Sequence, residues 1–254
     1  MKKLFETKAL ISMIILAFIL AGNVNSQDVK KESPFSSKVD LMSRYVWRGT
    51  DFGGSPSIQP TLAFEKNNFF VNAWGAYAVN LPGVQEADLN VGYKIKKILT
   101  LTFTDYFFPN ELTDNDGYFK YKQGETGHIF EFSVMYNGTE KLPLTVLLAS
   151  NLYGADVVKN DENGLPTDDI MHSTYLEVGY KFKNIQLFGG FNVIAPDLDR
   201  GESGLYGDYL GFVNIGLKHE KEIKITDSFS VPFNLSLITN PQSEKIFMVA
   251  GISF

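Results

Sequence analysis

The chain has 254 residues, no cysteine and a formal net charge of −6. Without thiols it can build neither a disulfide framework nor a cysteine-rich metal site, and its acidic balance argues against nucleic acid as a partner. Mean hydropathy is near zero, at −0.07, and after Ser26 no run approaches the ~20 consecutive apolar residues of a membrane helix, so a helical membrane protein is excluded.

In chain order, Lys2 and Lys3 precede an apolar run from Ala9 to Gly22, and Val24 and Ser26 set small residues before a cut ahead of Gln27. That layout predicts a cleaved signal peptide over residues 1–26. The mature chain would carry a net charge of −8, with a short N-terminal tail over 27–34 ahead of one large β domain over 35–254.

From there the chain reads with period two, the mark of strands with one apolar and one polar face. The first such stretch, 35–50, sets Val39, Leu41, Tyr45 and Trp47 on one side and Arg44 and Arg48 on the other. Ala87, Leu89, Val91, Tyr93 and Ile95 alternate with Glu86, Asp88, Asn90, Gly92 and Lys94, and Thr174 to Phe182 repeats the pattern. About twelve strands are expected, at 35–50, 57–65, 69–79, 86–95, 99–108, 127–137, 143–153, 173–182, 185–195, 208–219, 229–239 and 245–254. Most have the ~9–11 residues that a tilted strand needs to cross a bilayer.

Short and long connections alternate between these strands. Lys66 to Asn68, Lys96 to Ile98, Gly138 to Leu142 and Lys183 to Asn184 are tight; Asp51 to Pro56, Pro109 to Thr126, Gly154 to His172 and Pro196 to Gly207 are longer. Outer-membrane barrels show this asymmetry of short periplasmic turns and long external loops. Two links break the parity: Lys221 to Ser228 is long where a tight turn is due, and Asn240 to Glu244 is short. Aromatic residues at the strand ends form two girdles, with Phe64, Phe69, Tyr93, Tyr136, Tyr180 and Phe182 on the periplasmic side and Tyr45, Trp47, Tyr77, Phe107 and Tyr209 on the outer side. The expected fold is all-β: a transmembrane antiparallel up-and-down barrel. Its last strand, ending Ile246, Met248, Ala250, Ile252, Phe254, looks like the C-terminal signature that outer-membrane barrels present to the barrel assembly machinery, with Phe254 as the signal.

The segment Ser43-Arg44-Tyr45-Val46-Trp47-Arg48-Gly49, followed by Pro56-Ser57-Ile58-Gln59-Pro60, resembles the opening of the TorF family of putative porins, a conserved outer-membrane family of unknown function. Phe69 to Gly75, with Trp74 before the glycine, looks like that family's next strand. The resemblance implies a barrel of this size, a Gram-negative outer-membrane location and a transport role, without a substrate.

The chain has three arginines against twenty lysines, and two of the three are Arg44 and Arg48. Four residues apart on one strand they share a face, predicted to be the lumen, where guanidinium groups pair with carboxylates. Partners of the same inward phase are Glu65, Glu86, Asp88, Glu131 and Glu177, and Asn72, Trp74 and Asn90 complete a polar pore lining. These charges serve either as a ladder bracing the wall or as a selectivity device. The acidic external loops would favour cations at the mouth.

Catalysis is not expected. His172 and Ser173 are adjacent and therefore lie on opposite faces of a strand, and no glycine-rich phosphate loop occurs. Neither a cofactor nor a metal site is expected. The expected function is an outer-membrane porin-like channel for small polar solutes with a preference for cations; the alternative is a closed barrel acting structurally or through its external loops. The partners are outer-membrane lipid, the assembly machinery and small polar solutes.

Overall fold

The computed structural model describes residues 33–80, 85–109 and 117–254. The expected signal peptide, most of the N-terminal tail, and part of the loop holding Asp114 and Asp116 lie outside the described residues. Pro34–Phe254 forms one compact unit.

Twelve strands close into an antiparallel barrel. They are β1 Phe35–Met42, β2 Ser57–Lys66, β3 Phe69–Ala78, β4 Gln85–Ile95, β5 Leu99–Phe107, β6 His128–Tyr136, β7 Leu144–Gly154, β8 Thr174–Phe182, β9 Ile185–Asn192, β10 Gly211–Lys224, β11 Ser230–Asn240 and β12 Lys245–Ser253. Each pairs with its neighbours in sequence, and β12 returns to β1 to close the ring. Closure leaves no free sheet edge except where a strand outruns its neighbour.

Strand ends follow local chemistry. The β2–β3 link is Asn67–Asn68, both with positive φ, as a two-residue hairpin of matching twist requires. Lys96, Lys97 and Lys183 adopt the same left-handed conformation in the β4–β5 and β8–β9 turns. The long Lys221–Ser228 link is absent: β10 runs on to Lys224 and turns tightly through Ile225–Phe229, where the Ile225 N–H donates to the Phe229 carbonyl at 2.9 Å. The parity of turns on that side is therefore complete, while the Asn240–Glu244 link stays short.

Polarity is inverted relative to a soluble core. Leu62 is 61% and Met248 69% exposed on the outer wall, with Leu89, Phe103, Phe132, Leu148, Val178, Leu187, Leu217 and Leu237 also exposed. Glu86 is 1% and Glu131 2% exposed on the inner wall, beside buried Gln59, Asp88, Thr104, Ser133, Asn192 and Asn214. An apolar band outside and polar groups inside is the arrangement of a membrane-spanning barrel, where lipid replaces water around the wall.

The first expected strand is the main correction. Wall pairing of β1 with β2 stops at Met42 opposite Ser57, and Ser43–Phe52 leaves the wall as a short hairpin, Val46–Trp47 against Thr50–Asp51. Its two-residue turn is Arg48–Gly49, with φ of 48° and 82°. Tyr45 and Trp47 accordingly belong to the lumen and not to the outer girdle: Tyr45 packs on Trp74, and Trp47 on Tyr106 and Tyr206. Phe107 lies on the outer face but is covered by Tyr118 and His128.

Candidate functional site: a hairpin across the lumen

The hairpin is rooted between β1 and β2 and reaches the far wall. The Arg48 guanidinium donates to both carboxylate oxygens of Glu131 on β6, at 2.5 and 3.0 Å, and to the Tyr206 hydroxyl at 2.6 Å. Its Cζ lies 4.4 Å from the Trp47 ring centroid and 4.7 Å from that of Tyr175 on β8. Asn240 on β11 donates to the Gly49 carbonyl at 3.2 Å. Contacts on β6, β8 and β11 from a segment anchored at β1 and β2 mean that the hairpin crosses the lumen.

Glycine is required at the tip. A Cβ on Gly49 would stand 1.9 Å from the Val213 carbonyl oxygen, and its positive φ disfavours other side chains. At the hairpin's base, Arg44 donates to Asp51 at 2.7 Å, and Asp51 accepts from the Gly54 N–H at 3.1 Å. Arg44 and Arg48 thus both lie in the lumen but point to different partners, one within the hairpin and one across the barrel.

The remaining sequence-selected residues divide by height. Glu65 pairs with Lys94 at 2.6 Å at the end of the barrel that carries the tight turns. Asn72, Asn90 and Thr104 form a chain across β3, β4 and β5, with Asn90 donating to Asn72 at 2.9 Å and accepting from Thr104 at 2.7 Å. Glu177 accepts from Tyr175 at 2.5 Å and Asn214 at 3.1 Å. Glu86 and Asp88 are buried near the hairpin, where Glu86 meets the Tyr45 hydroxyl. Neither forms an ion pair among the described residues, and one oxygen of each has no hydrogen-bond partner.

Below the hairpin the lumen opens into a cavity of about 920 Å³, bordered by Lys38, Arg44, Gln59, Gln186, Lys218 and Asn234 among others. Its charges are largely paired, Lys38 with Asp40 at 2.9 Å and Lys218 with Glu220 at 2.6 Å.

Sequence reasoning missed Tyr106, Tyr175, Asn214 and Tyr206. The first three share the inward phase of residues that it did select; Tyr206 comes from the loop between β9 and β10, where no periodicity marks it. His172 Nδ1 donates to the Asn151 carbonyl at 2.9 Å, and the Ser173 backbone N–H donates to Asp156 at 2.8 Å, so the histidine and serine engage different partners.

No family model and no curated protein matches the sequence. Among solved structures, the chain is similar to a KdgM porin at 9% identity, covering 85% of this chain and 98% of that one with a TM-score of 0.43. It is similar to a NanC porin at 10% identity, covering 86% and 98% with a TM-score of 0.43. An outer membrane channel from Pseudomonas putida F1 matches at 11% identity over 91% and 98%, with a TM-score of 0.37.

Proposed function

We propose that this chain is an outer-membrane channel for small polar solutes, narrowed by its inner hairpin and preferring cations. The observation that carries the reading is the inverted polarity around twelve closed strands, with exposed Leu62, Leu148 and Met248 outside and buried Glu86, Asp88, Glu131 and Asn214 inside. A barrel of twelve strands lies between the filled eight-stranded and the open sixteen-stranded cases, so one hairpin is enough to constrict it.

The cation preference rests on charge at the pore mouth. The Arg48 charge at the constriction is taken up by Glu131, and the outer loops carry Asp161, Glu162, Asp168, Asp169 and Asp199. Acidic loops at a pore mouth attract cations and deter anions. Pore-lining roles for Arg44, Arg48, Glu65, Asn72, Trp74, Glu86, Asp88, Asn90, Glu131 and Glu177 follow from the same reading. The resemblance of Ser43–Gly49 and Pro56–Pro60 to the TorF family points the same way, as do the signal-peptide pattern of residues 1–26 and the terminal Phe254 for export and assembly.

The test is planar-bilayer recording of the mature protein in a salt gradient. Discrete steps with a cation-selective reversal potential support the channel. A folded, heat-modifiable barrel that never conducts refutes it and favours the second reading, a closed barrel acting through its external loops. That reading draws on the hairpin crossing the lumen and on the ordered outer ribbon Val158–Asn160 against Pro166–Ile170, held by Glu202 at the Asn160 N–H. Deleting Asn160 to Asp169 separates the two, because a channel survives the loss and a loop-based binder does not.

A further inference from the structure

β12 outruns its partner. Its ladder with β1 covers only Asp40–Met42 opposite Ser253–Gly251, and the next rung is already diverted. There the Ser43 N–H donates to the Ala250 carbonyl at 2.8 Å, but the Ala250 N–H is met by the Ser43 side-chain oxygen at 2.9 Å in place of a backbone carbonyl. Above that rung no strand pairs with the β1-facing side of Ile246–Val249 among the described residues. Ile246 and Met248 are 68% and 69% exposed. An unpaired strand edge in a wall facing lipid is costly, because hydrocarbon offers its N–H and C=O groups no partner.

The segment that would complete this edge is the one folded into the lumen. Continuing the β1–β12 register sets Tyr45 opposite Met248 and Trp47 opposite Ile246. In that position Tyr45 and Trp47 continue the outward face of Val39 and Leu41, and Arg44 and Arg48 continue the inward face of Lys38, Asp40 and Met42. The alternation of this segment therefore suits the wall as well as the lumen. The tether allows the exchange: ten residue steps from Trp47 to Ser57 reach up to about 33 Å, whereas five strand steps above Met42 amount to about 17 Å.

We propose that Ser43–Gly49 is a gate with two seats in one chain, one as a hairpin across the lumen latched by Arg48 to Glu131, the other as an extension of β1 zipped onto the vacant edge of β12. The first seat closes the channel and the second opens it. The hairpin makes its backbone hydrogen bonds mostly within itself, Phe52 N–H to Tyr45 carbonyl among them, so leaving the lumen breaks few backbone bonds to the wall. The inference rests on the channel reading above and adds its regulation.

The chain has no cysteine, so a thiol at position 47 can be joined to either seat without competition. Trp47→Cys with Tyr106→Cys, bridged by a short reversible bis-methanethiosulfonate linker, ties the hairpin to the wall it now touches. Trp47→Cys with Ile246→Cys, oxidised to a disulfide, ties it to the β12 edge. The expected result is silence for the first pair, relieved by reductant, and sustained conductance for the second, with flickering between levels in both reduced forms. A 47–246 pair that never joins in a folded barrel, or that joins without raising the open fraction, overturns the gate. A variant lacking Ser43–Phe52 separates this from failure of the channel itself. If it conducts steadily while the 47–246 pair does not join, the gate alone is wrong; if it folds and stays silent, the channel reading is wrong.

Discussion

Arg48, at the tip of a hairpin anchored between β1 and β2, donates twice to Glu131 on β6, with side-chain exposures of 8% and 2%. Tyr106 adds a third hydrogen bond to the same carboxylate at 3.1 Å. Removing one partner of so buried a pair leaves the other charge unmatched, which costs about 3–5 kcal/mol. Glu131→Ala is expected to lower stability toward that range and to raise conductance as the tip comes loose, with Glu131→Gln less severe. Urea unfolding in detergent alongside bilayer recording checks both; unchanged conductance in a destabilised variant would show that the pair braces the wall and does not hold a plug.

Gly49→Ala attacks the same element without touching charge. The added methyl meets the Val213 carbonyl at 1.9 Å and asks a non-glycine residue to hold a φ of 82°. The hairpin tip is expected to be displaced while the twelve-strand ladder persists. Of the chain's two tryptophans, Trp47 lies in the hairpin against Phe52 and Trp74 packs on the hairpin's Tyr45, so intrinsic fluorescence reports the hairpin directly. A red-shifted emission with greater acrylamide quenching is expected; a spectrum identical to that of the unsubstituted protein would mean that the tip tolerates the methyl.

The barrel was legible in the sequence because an alternating wall strand has no other use for period two at this length. The expected strand at 86–95 and the observed β4 Gln85–Ile95 differ by one residue. The hairpin was not legible, since Arg44, Tyr45, Val46, Trp47 and Arg48 alternate as a wall strand would. Only Gly49, and Gly53-Gly54 beyond it, hinted at a turn. The lower part of β10 was hidden for the opposite reason. His219 and Lys221 occupy outward positions between Leu217 and Ile223 and interrupt the apolar alternation, yet the hydrogen-bonded ladder with β11 continues to Lys224 opposite Ser230. Tyr206 reaches Arg48 from a loop, and loop residues carry no periodic signal.

The phase of β4 predicts a sharp difference between neighbours. Leu89 is exposed on the outer face, and Leu89→Arg is expected to cost about 2–4 kcal/mol near the bilayer midplane. Asn90 faces inward between Asn72 and Thr104, and Asn90→Arg loses those hydrogen bonds but keeps its charge in a polar lumen, so its cost is expected to be smaller. Reversible unfolding from lipid vesicles gives both numbers. Equal penalties would contradict the assignment of faces.

The outer loops should respond to acid through Glu202. Its carboxylate accepts from the Asn160 N–H at 2.9 Å and the Asp197 N–H at 2.8 Å, and these backbone donors hold its pKa below the ordinary glutamate value of 4.5. A group depressed in the folded state contributes its full stabilisation above the unfolded pKa and loses it as pH falls through the folded one. Because Glu202 is partly exposed in a surface loop, the effect is local to the loops and small against global stability. Proteolysis within 155–173 is expected to be slow at neutral pH and to quicken in acid below the ordinary glutamate range, with Glu202→Gln cleaved faster at neutral pH already. An identical cleavage rate for both proteins at neutral pH would remove Glu202 from this role.

The backbone and the ring of Phe254 are two features that substitution can separate. Its backbone extends the β1–β12 seam, giving to the Val39 carbonyl at 2.9 Å and accepting from the Val39 N–H at 3.0 Å. That seam has only three paired positions in its ladder. Deleting the residue therefore removes seam hydrogen bonds together with the terminal ring, and a defect would have two causes. Phe254→Ala keeps the backbone and removes the ring alone. If the ring is an assembly signal, Phe254→Ala folds in detergent with the heat-modifiable mobility of the unsubstituted barrel but accumulates poorly in the outer membrane of cells. Should Phe254→Ala reach the membrane normally while the deletion does not, the residue acts through its seam hydrogen bonds and the ring carries no signal.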